Sequence, residues 1–184
     1  AAYTEVTYDG YVAPSVLQAE GAMDIAMEFH SLSKTANMTG WRVGFASGNP
    51  EMVNALMRVK SNIDSGLSQA NQEMGIAALD LPSVWVDNNN AVYQKRRDKV
   101  VSVLNEIGVP AVAPKGALYI WTPIPEGYTS AEFAQKLLDE VNVVVTPGNG
   151  YGPGGEGYIR LSLTIPDDQI DEGLRRLAQL RVNS

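Results

Sequence analysis

From Pro82 to Gly108 the sequence carries one long helical pattern, with Val84, Trp85, Val92, Val100, Val103, Leu104 and Ile107 along it. It ends on Gly108-Val-Pro, a glycine and a proline that together stop a helix. A helix this long serves as a connection between two bodies, so it sets the organisation of the whole chain. Residues 1–81 precede it, the helix occupies 82–108, and residues 109–184 follow.

The first segment reads as alternating strands and helices. Tyr3–Tyr8 alternates polar with aromatic or β-branched residues, which predicts a strand, and Asp9-Gly10 turns it. Ala26–Leu32 is mostly apolar and predicts a buried strand, with Lys34 just past its end. Trp41–Ser47 predicts another strand. Asn49 then reads as an N-cap with Pro50 at the first helical position, and Met52, Leu56 and Val59 recur at helical spacing. A further helix fits Ser68–Leu79 and is stopped by Pro82.

The last segment is α+β in pattern. Ala117–Thr122 predicts a strand, Ser130–Glu140 a helix with Ser130 as its N-cap, and Asn142–Thr146 is a β-branched run. Tyr158–Leu163 predicts a strand and Pro166–Leu180 a final amphipathic helix. The glycine-rich stretch between the last strands, "PGNGYGPGGEG" at 147–157, joins strand to strand. A dinucleotide or P-loop cradle joins strand to helix, so this stretch reads as a connecting loop.

Composition removes several classes of function. The chain of 184 residues has no cysteine and one histidine, His30, so thiolate and histidine-rich metal sites are excluded. A net charge of −7 without a basic block argues against nucleic acid as a partner. No apolar run approaches the ~20 residues that span a bilayer, and no signal peptide is visible, which fits a cytoplasmic protein. His30 reads as a structural residue, the run Lys95-Arg96-Arg97 as a solvated helix face, and Trp41 as packing. Tyr151 lies near Arg160 in sequence and is noted for that alone.

The stretch "SLSKTANMTGWRVG", Ser31 to Gly44, carries the chemistry. A lysine binds an aldehyde covalently only as the free amine, a form that burial and a neighbouring cation favour. Ser31, Ser33 and Thr35 supply hydroxyls around Lys34, and Arg42 supplies a fork of donors, the set that a phosphate monoester accepts. Gly40 and Gly44 let the backbone approach a ligand closely. An aldehyde carrying a phosphate describes pyridoxal 5'-phosphate. Ser-x-x-Lys also occurs in penicillin-binding enzymes, but their Ser-Asp-Asn and Lys-Thr-Gly partners do not occur in this chain.

The longer pattern of Ser31, Ser33, Lys34, Met38, Gly40, Arg42 and Gly44 resembles the active-site segment of the class I/II (fold type I) aminotransferases. The resemblance extends from Tyr3 to the last helix and is strongest to the branch that contains the LL-diaminopimelate aminotransferases. It implies an α/β fold: residues 1–81 as part of the large cofactor domain, the connecting helix, and 109–184 as the small α+β domain. It implies that Lys34 holds pyridoxal phosphate covalently and shuttles protons, and that Ser31 and Arg42 bind the phosphate. It implies that Tyr3 hydrogen-bonds the cofactor's phenolic oxygen. Tyr158-Ile-Arg-Leu-Ser-Leu163 resembles the strand whose arginine, here Arg160, grips the substrate α-carboxylate.

The resemblance further implies amino-acid and 2-oxo-acid substrates and a homodimer. Family members are roughly twice this length, and their aspartate beside the pyridine nitrogen would fall one position before Ala1. The expectation is therefore a C-terminal part of an aminotransferase, inactive alone. A lyase that uses the same cofactor and fold, and a non-catalytic binding domain, remain as alternatives.

Overall fold

A computed structural model describes residues 1–180. The chain divides into two compact units, residues 1–89 and 90–184, with the boundary inside one helix.

The first unit contains α1 (Ala22–Ile25), β1 (Met27–Ser31), α2 (Leu32–Thr35), β2 (Gly44–Gly48), α3 (Pro50–Lys60) and α4 (Gln69–Leu79). The next helix, α5 (Ser83–Glu106), begins here and continues into the second unit. At 24 residues it is about 36 Å long. β1 and β2 form a two-stranded antiparallel sheet in which Met27 opposes Gly48 and Ser31 opposes Gly44. Its register requires glycine at both ends of β2: a Cβ on Gly44 would lie 2.7 Å from the His30 carbonyl oxygen, and one on Gly48 2.5 Å from that of Ala26.

α3 starts as its sequence predicts. The Asn49 side chain accepts from Met52 N at 3.0 Å, and its amide donates to the Met23 and Asp24 carbonyls. Leu32, Met38 and Val43 form a small core with Leu67, Met74 and Ala78 packed against it.

Three expectations for this unit change. The strand expected at Trp41–Ser47 is β2, which begins only at Gly44 because Trp41 ends a 3₁₀ turn and Arg42 is left-handed. Tyr3–Tyr8 is a turn followed by a single bridging residue, Thr7, not a strand, because among the described residues the β1–β2 sheet has two strands and takes no third from this segment. Val6 N donates to the Tyr3 carbonyl instead, and Val6 and Tyr8 are buried. The strand expected at Ala26–Leu32 is β1, but it is not buried. Phe29 is 54% exposed, since a two-stranded sheet has too few neighbours to cover it.

The second unit contains the rest of α5, then β3 (Tyr119–Pro123), α6 (Ser130–Val141), β4 (Thr146–Pro147), β5 (Tyr158–Ser162) and α7 (Asp167–Leu177). Its sheet has the order β3–β5–β4, all antiparallel. Residues of one face of β3 and β5, Ile120, Ile159 and Leu161, join Leu104 of α5, Phe133 and Leu137 of α6, and Leu174 of α7 in one core. Ion pairs Arg96–Asp167 and Lys99–Asp171 tie α5 to α7. Arg97 is buried, pairs with Asp98 and donates to the Pro114 carbonyl at 3.0 Å. Such pairing is what makes a buried guanidinium tolerable.

Helix α6 begins with Thr129 and not Ser130 as its N-cap. Thr129 has the extended backbone a cap requires and exchanges hydrogen bonds with Glu132 in a capping box. Of the β-branched run Asn142–Thr146, only Thr146 is in a strand; Asn142 turns into the left-handed region to end α6. The final helix ends at Leu177, short of the expected Leu180. No helix among the described residues is long and apolar enough to cross a membrane.

Phe133 is fully buried at the centre of the second core. Phe133→Ala is expected to destabilise this unit by about 3–5 kcal/mol. Urea unfolding followed by Trp121 fluorescence measures the loss; an unchanged midpoint would contradict this core.

Candidate active site

The pairing of Ser31 with Gly44 brings the two ends of the lysine segment together. Between them the chain makes one excursion: α2, a 3₁₀ turn at Thr39–Trp41, and Arg42 in the left-handed region with φ 55°. Ser31 caps α2, its hydroxyl oxygen accepting from Ser33 N at 3.2 Å. The excursion is closed on itself: Leu32 N donates to the Val43 carbonyl at 3.1 Å, and the Thr39 hydroxyl to the Ser33 carbonyl at 2.9 Å. Leu32 and Ser33 are buried, which fixes α2 and directs the next residue, Lys34, outward to a half-buried position.

Among the described residues no hydrogen bond or ion pair engages the Lys34 amine. Arg42 is exposed, and its Nη1 donates to the Thr39 carbonyl at 3.0 Å, leaving the rest of its fork available. The donor set of this one excursion therefore comprises an unengaged amine, the hydroxyls of Ser31, Ser33 and Thr35, and a guanidinium. That set fits an aldehyde bearing a phosphate.

Beside β1 lies a cavity of about 380 Å³ lined by Thr4, Glu5, Ser15, His30, Ser31 and Thr35, among others. Two hydroxyl-bearing residues of the lysine segment thus line it, whereas Tyr3, Lys34 and Arg42 are not in its lining. Tyr3 is half-buried in the N-terminal turn, which the Ala1 amine fastens to the Phe29 carbonyl of β1 at 2.6 Å.

Glu28 gave no signal in the sequence, yet it organises this side of the sheet. Its carboxylate accepts from Val16 N at 2.6 Å and the Ser15 hydroxyl at 2.9 Å, and meets His30 Nε2 at 3.1 Å. The Val16 amide first, then Ser15 and His30, hold Glu28 below the usual glutamate range. His30 also stacks on Phe45, ring centroids 5.0 Å apart. These contacts account for His30 as a structural residue.

In the second unit, Arg160 stands at the middle of β5, opposite Trp121 on β3 and Thr146 on β4. Ile159 and Leu161 on either side of it enter the core, so alternation places Arg160 on the other face of the sheet. Its Cζ lies 4.2 Å from the Tyr119 ring centroid and 4.8 Å from that of Tyr151. Its Nε is buried and, among the described residues, has no hydrogen-bond partner. The rings of Tyr119, Trp121 and Tyr158 near Arg160 were not singled out from the sequence. The matching alternation of "LYIWT" and "YIRLS" across the two paired strands was the available signal.

The glycine-rich loop carries Tyr151 to Arg160. It consists of two 3₁₀ turns, Gly148–Tyr151 and Pro153–Gly155, pressed together so closely that a Cβ on Gly148 would lie 2.0 Å from the Gly155 carbonyl oxygen. Glu156 anchors its end, accepting from Ser130 N at 2.7 Å, the Ser130 hydroxyl at 3.0 Å and its neighbour Gly157 N at 3.0 Å. Among the described residues, no group of three or more His, Asp or Glu side chains is placed to hold a metal ion.

The family model described as "Aminotransferase class I and II" matches residues 1–177, and the chain belongs to that family. Within it, the chain is 57% identical over 182 residues to an LL-diaminopimelate aminotransferase of Dehalococcoides mccartyi, covering 99% of this chain and 47% of that protein. An LL-diaminopimelate aminotransferase of Moorella thermoacetica is 51% identical over 180 residues, covering 98% and 46%. A solved aminotransferase from Staphylococcus aureus superimposes with a TM-score of 0.89 at 37% identity, covering 97% of this chain and 47% of that one. The chain spans about half the length of the curated relatives it matches.

The amides of Ser130 and Gly157 and the Ser130 hydroxyl hold the Glu156 carboxyl below the usual glutamate range. A carboxyl lowered on folding adds stability above its unfolded pKa, ~4.3, and loses it as pH falls through the folded value. Glu156→Gln is therefore expected to flatten part of the fall in the urea midpoint of this unit below about pH 4.3. Parallel acid dependence of the variant and the parent would contradict this anchoring role.

Proposed function

We propose that these residues serve a pyridoxal-phosphate-dependent aminotransferase that moves an amino group from an L-amino acid to a 2-oxo acid, with LL-diaminopimelate as the donor. The carrying observation is the unengaged Lys34 amine on the same closed excursion as Ser31 and Arg42. The family match and the names of the relatives above support the reaction and the donor. Because the chain spans about half of those relatives, we propose the activity for a polypeptide of their length. The 184 residues alone would be inactive, since a site held by part of its residues loses most of its catalytic power. A homodimer and a cytoplasmic location belong to the same reading and rest on family resemblance. So does the assignment of 1–81 to a large cofactor domain and 109–184 to a small one.

Pyridoxal phosphate, when bound, supplies the electron sink for negative charge at the substrate α-carbon. The chain's own residues would do the remainder. Lys34 Nζ, carried on α2 whose Leu32 and Ser33 are buried, would hold the aldehyde carbon and carry the proton to and from the substrate α-carbon. Ser31 and Arg42 would bind the phosphate, Arg42 through donors not used by Thr39. The Tyr3 hydroxyl would donate to the phenolic oxygen. Arg160 would take the substrate carboxylate with two parallel N–H donors, a geometry lysine does not offer.

The full-length polypeptide, mixed with pyridoxal phosphate and reduced with borohydride, is expected to carry a single adduct at Lys34 by peptide mass spectrometry. Labelling elsewhere with Lys34 unmodified would refute the assignment. Lys34→Ala is expected to lower kcat for transamination by at least about 10²–10⁴; a variant with parental kcat would remove Lys34 from the chemistry.

A further inference from the structure

An arginine that is largely out of water normally has a carboxylate partner. Arg160 has none among the described residues, and its Nε is buried without a hydrogen bond. What flanks it is aromatic: the ring of Tyr119 at 4.2 Å and the ring of Tyr151 at 4.8 Å. The two differ in origin. Tyr119 belongs to β3, the neighbouring strand, and Tyr151 to the glycine-rich loop.

Aromatic faces and carboxylates stabilise a guanidinium in different ways. A carboxylate uses the N–H donors in the guanidinium plane, the same donors an incoming substrate carboxylate needs. A ring face attracts the cation through its quadrupole, from above or below the plane, and uses none of them. A protein carboxylate at this place would compete with a ligand. A ring does not.

Tyr151 is 51% exposed, so burial alone does not fix it. Its position is set by neighbours. Trp121 meets it edge-on at 5.6 Å and is itself stacked on Tyr158 at 5.4 Å. The loop beneath is held by the Gly148–Gly155 backbone contact and by Glu156 on Ser130.

We propose that Tyr119 and Tyr151 are positioning residues that clamp the Arg160 guanidinium between two ring faces, keeping its in-plane donors open for the carboxylate of an amino-acid or 2-oxo-acid substrate. This rests on the reading of Arg160 as the carboxylate-binding residue. The glycine-rich loop thereby does more than connect two strands, because it delivers one of the two rings.

The test uses the ¹⁵N-labelled full-length polypeptide and follows the Arg160 Nε–Hε resonance while 2-oxoglutarate is added. In the parent chain this resonance should lie upfield, shifted by the ring currents, and should move saturably with 2-oxoglutarate. Tyr151→Leu should lose part of the upfield shift and bind 2-oxoglutarate about three- to tenfold more weakly, the range a partly exposed cation–ring contact sustains. Tyr151→Phe should restore both, because the ring face and not the hydroxyl carries the effect. The backbone amide spectrum of β5 checks that each variant folds, and Tyr119→Leu gives the same test from the strand side.

Absence of an upfield shift in the parent chain overturns the clamp. A parent resonance that moves with 2-oxoglutarate, with Tyr151→Leu binding equally well, overturns the proposal and leaves the carboxylate reading intact. Tyr151→Phe behaving like Tyr151→Leu also overturns it. A parent resonance that 2-oxoglutarate does not move overturns the carboxylate reading and the proposal together.

Discussion

The lysine segment depends on a backbone contact that has no room for a side chain. Gly44 opposes Ser31 in the β1–β2 ladder, and any Cβ there would strike the His30 carbonyl at 2.7 Å. With glycine in place, the ladder closes, and the residues between the two strands must leave and return within a short loop. Leu32, Met38 and Val43 fill the inside of that loop. Lys34 and Arg42 are among the residues left for the outside, with Asn37, Thr39 and Trp41. The path of this segment thus depends on steric exclusion at one pair of residues.

The second unit rests on a different constraint, the period of two along β5. Ile159 and Leu161 are needed in the core, so Arg160 between them has to face the other way. The same rule on β3 buries Ile120 and Thr122 and sends Tyr119 and Trp121 to the face that Arg160 occupies. A charged residue has been placed among rings by hydrophobic alternation alone. The short 3₁₀ turns of the glycine-rich loop then add Tyr151 to a face the strands had already made.

Much of the fold was legible in the sequence, for local reasons. The Asn49-Pro50 start of α3, the stop of α5 near Gly108 and the strand at Tyr158 each rest on interactions within a few residues, and each occurs as read. The misreadings share a cause. Tyr3–Tyr8 has a strand's alternation, but a strand exists only if a second chain segment offers its backbone. Thr129 and Ser130 are both good caps by type. The choice between them went to Thr129 because Ser130 is claimed by Glu156, a residue 26 positions away.

By itself, the sequence determined the family and most of the helices and strands, and it singled out Lys34, Arg42 and Arg160 as candidates, since spacing and side-chain chemistry are properties of the chain alone. Tertiary structure decided what those residues face. That nothing among the described residues engages the Lys34 amine, that Glu28 is taken by Val16, Ser15 and His30, and that Arg160 lies close to the rings of Tyr119 and Tyr151 follow from how separate segments are placed. No local pattern encodes them, because hydrogen bonds and ring contacts depend on distances of a few ångströms that only the assembled strands and loops set.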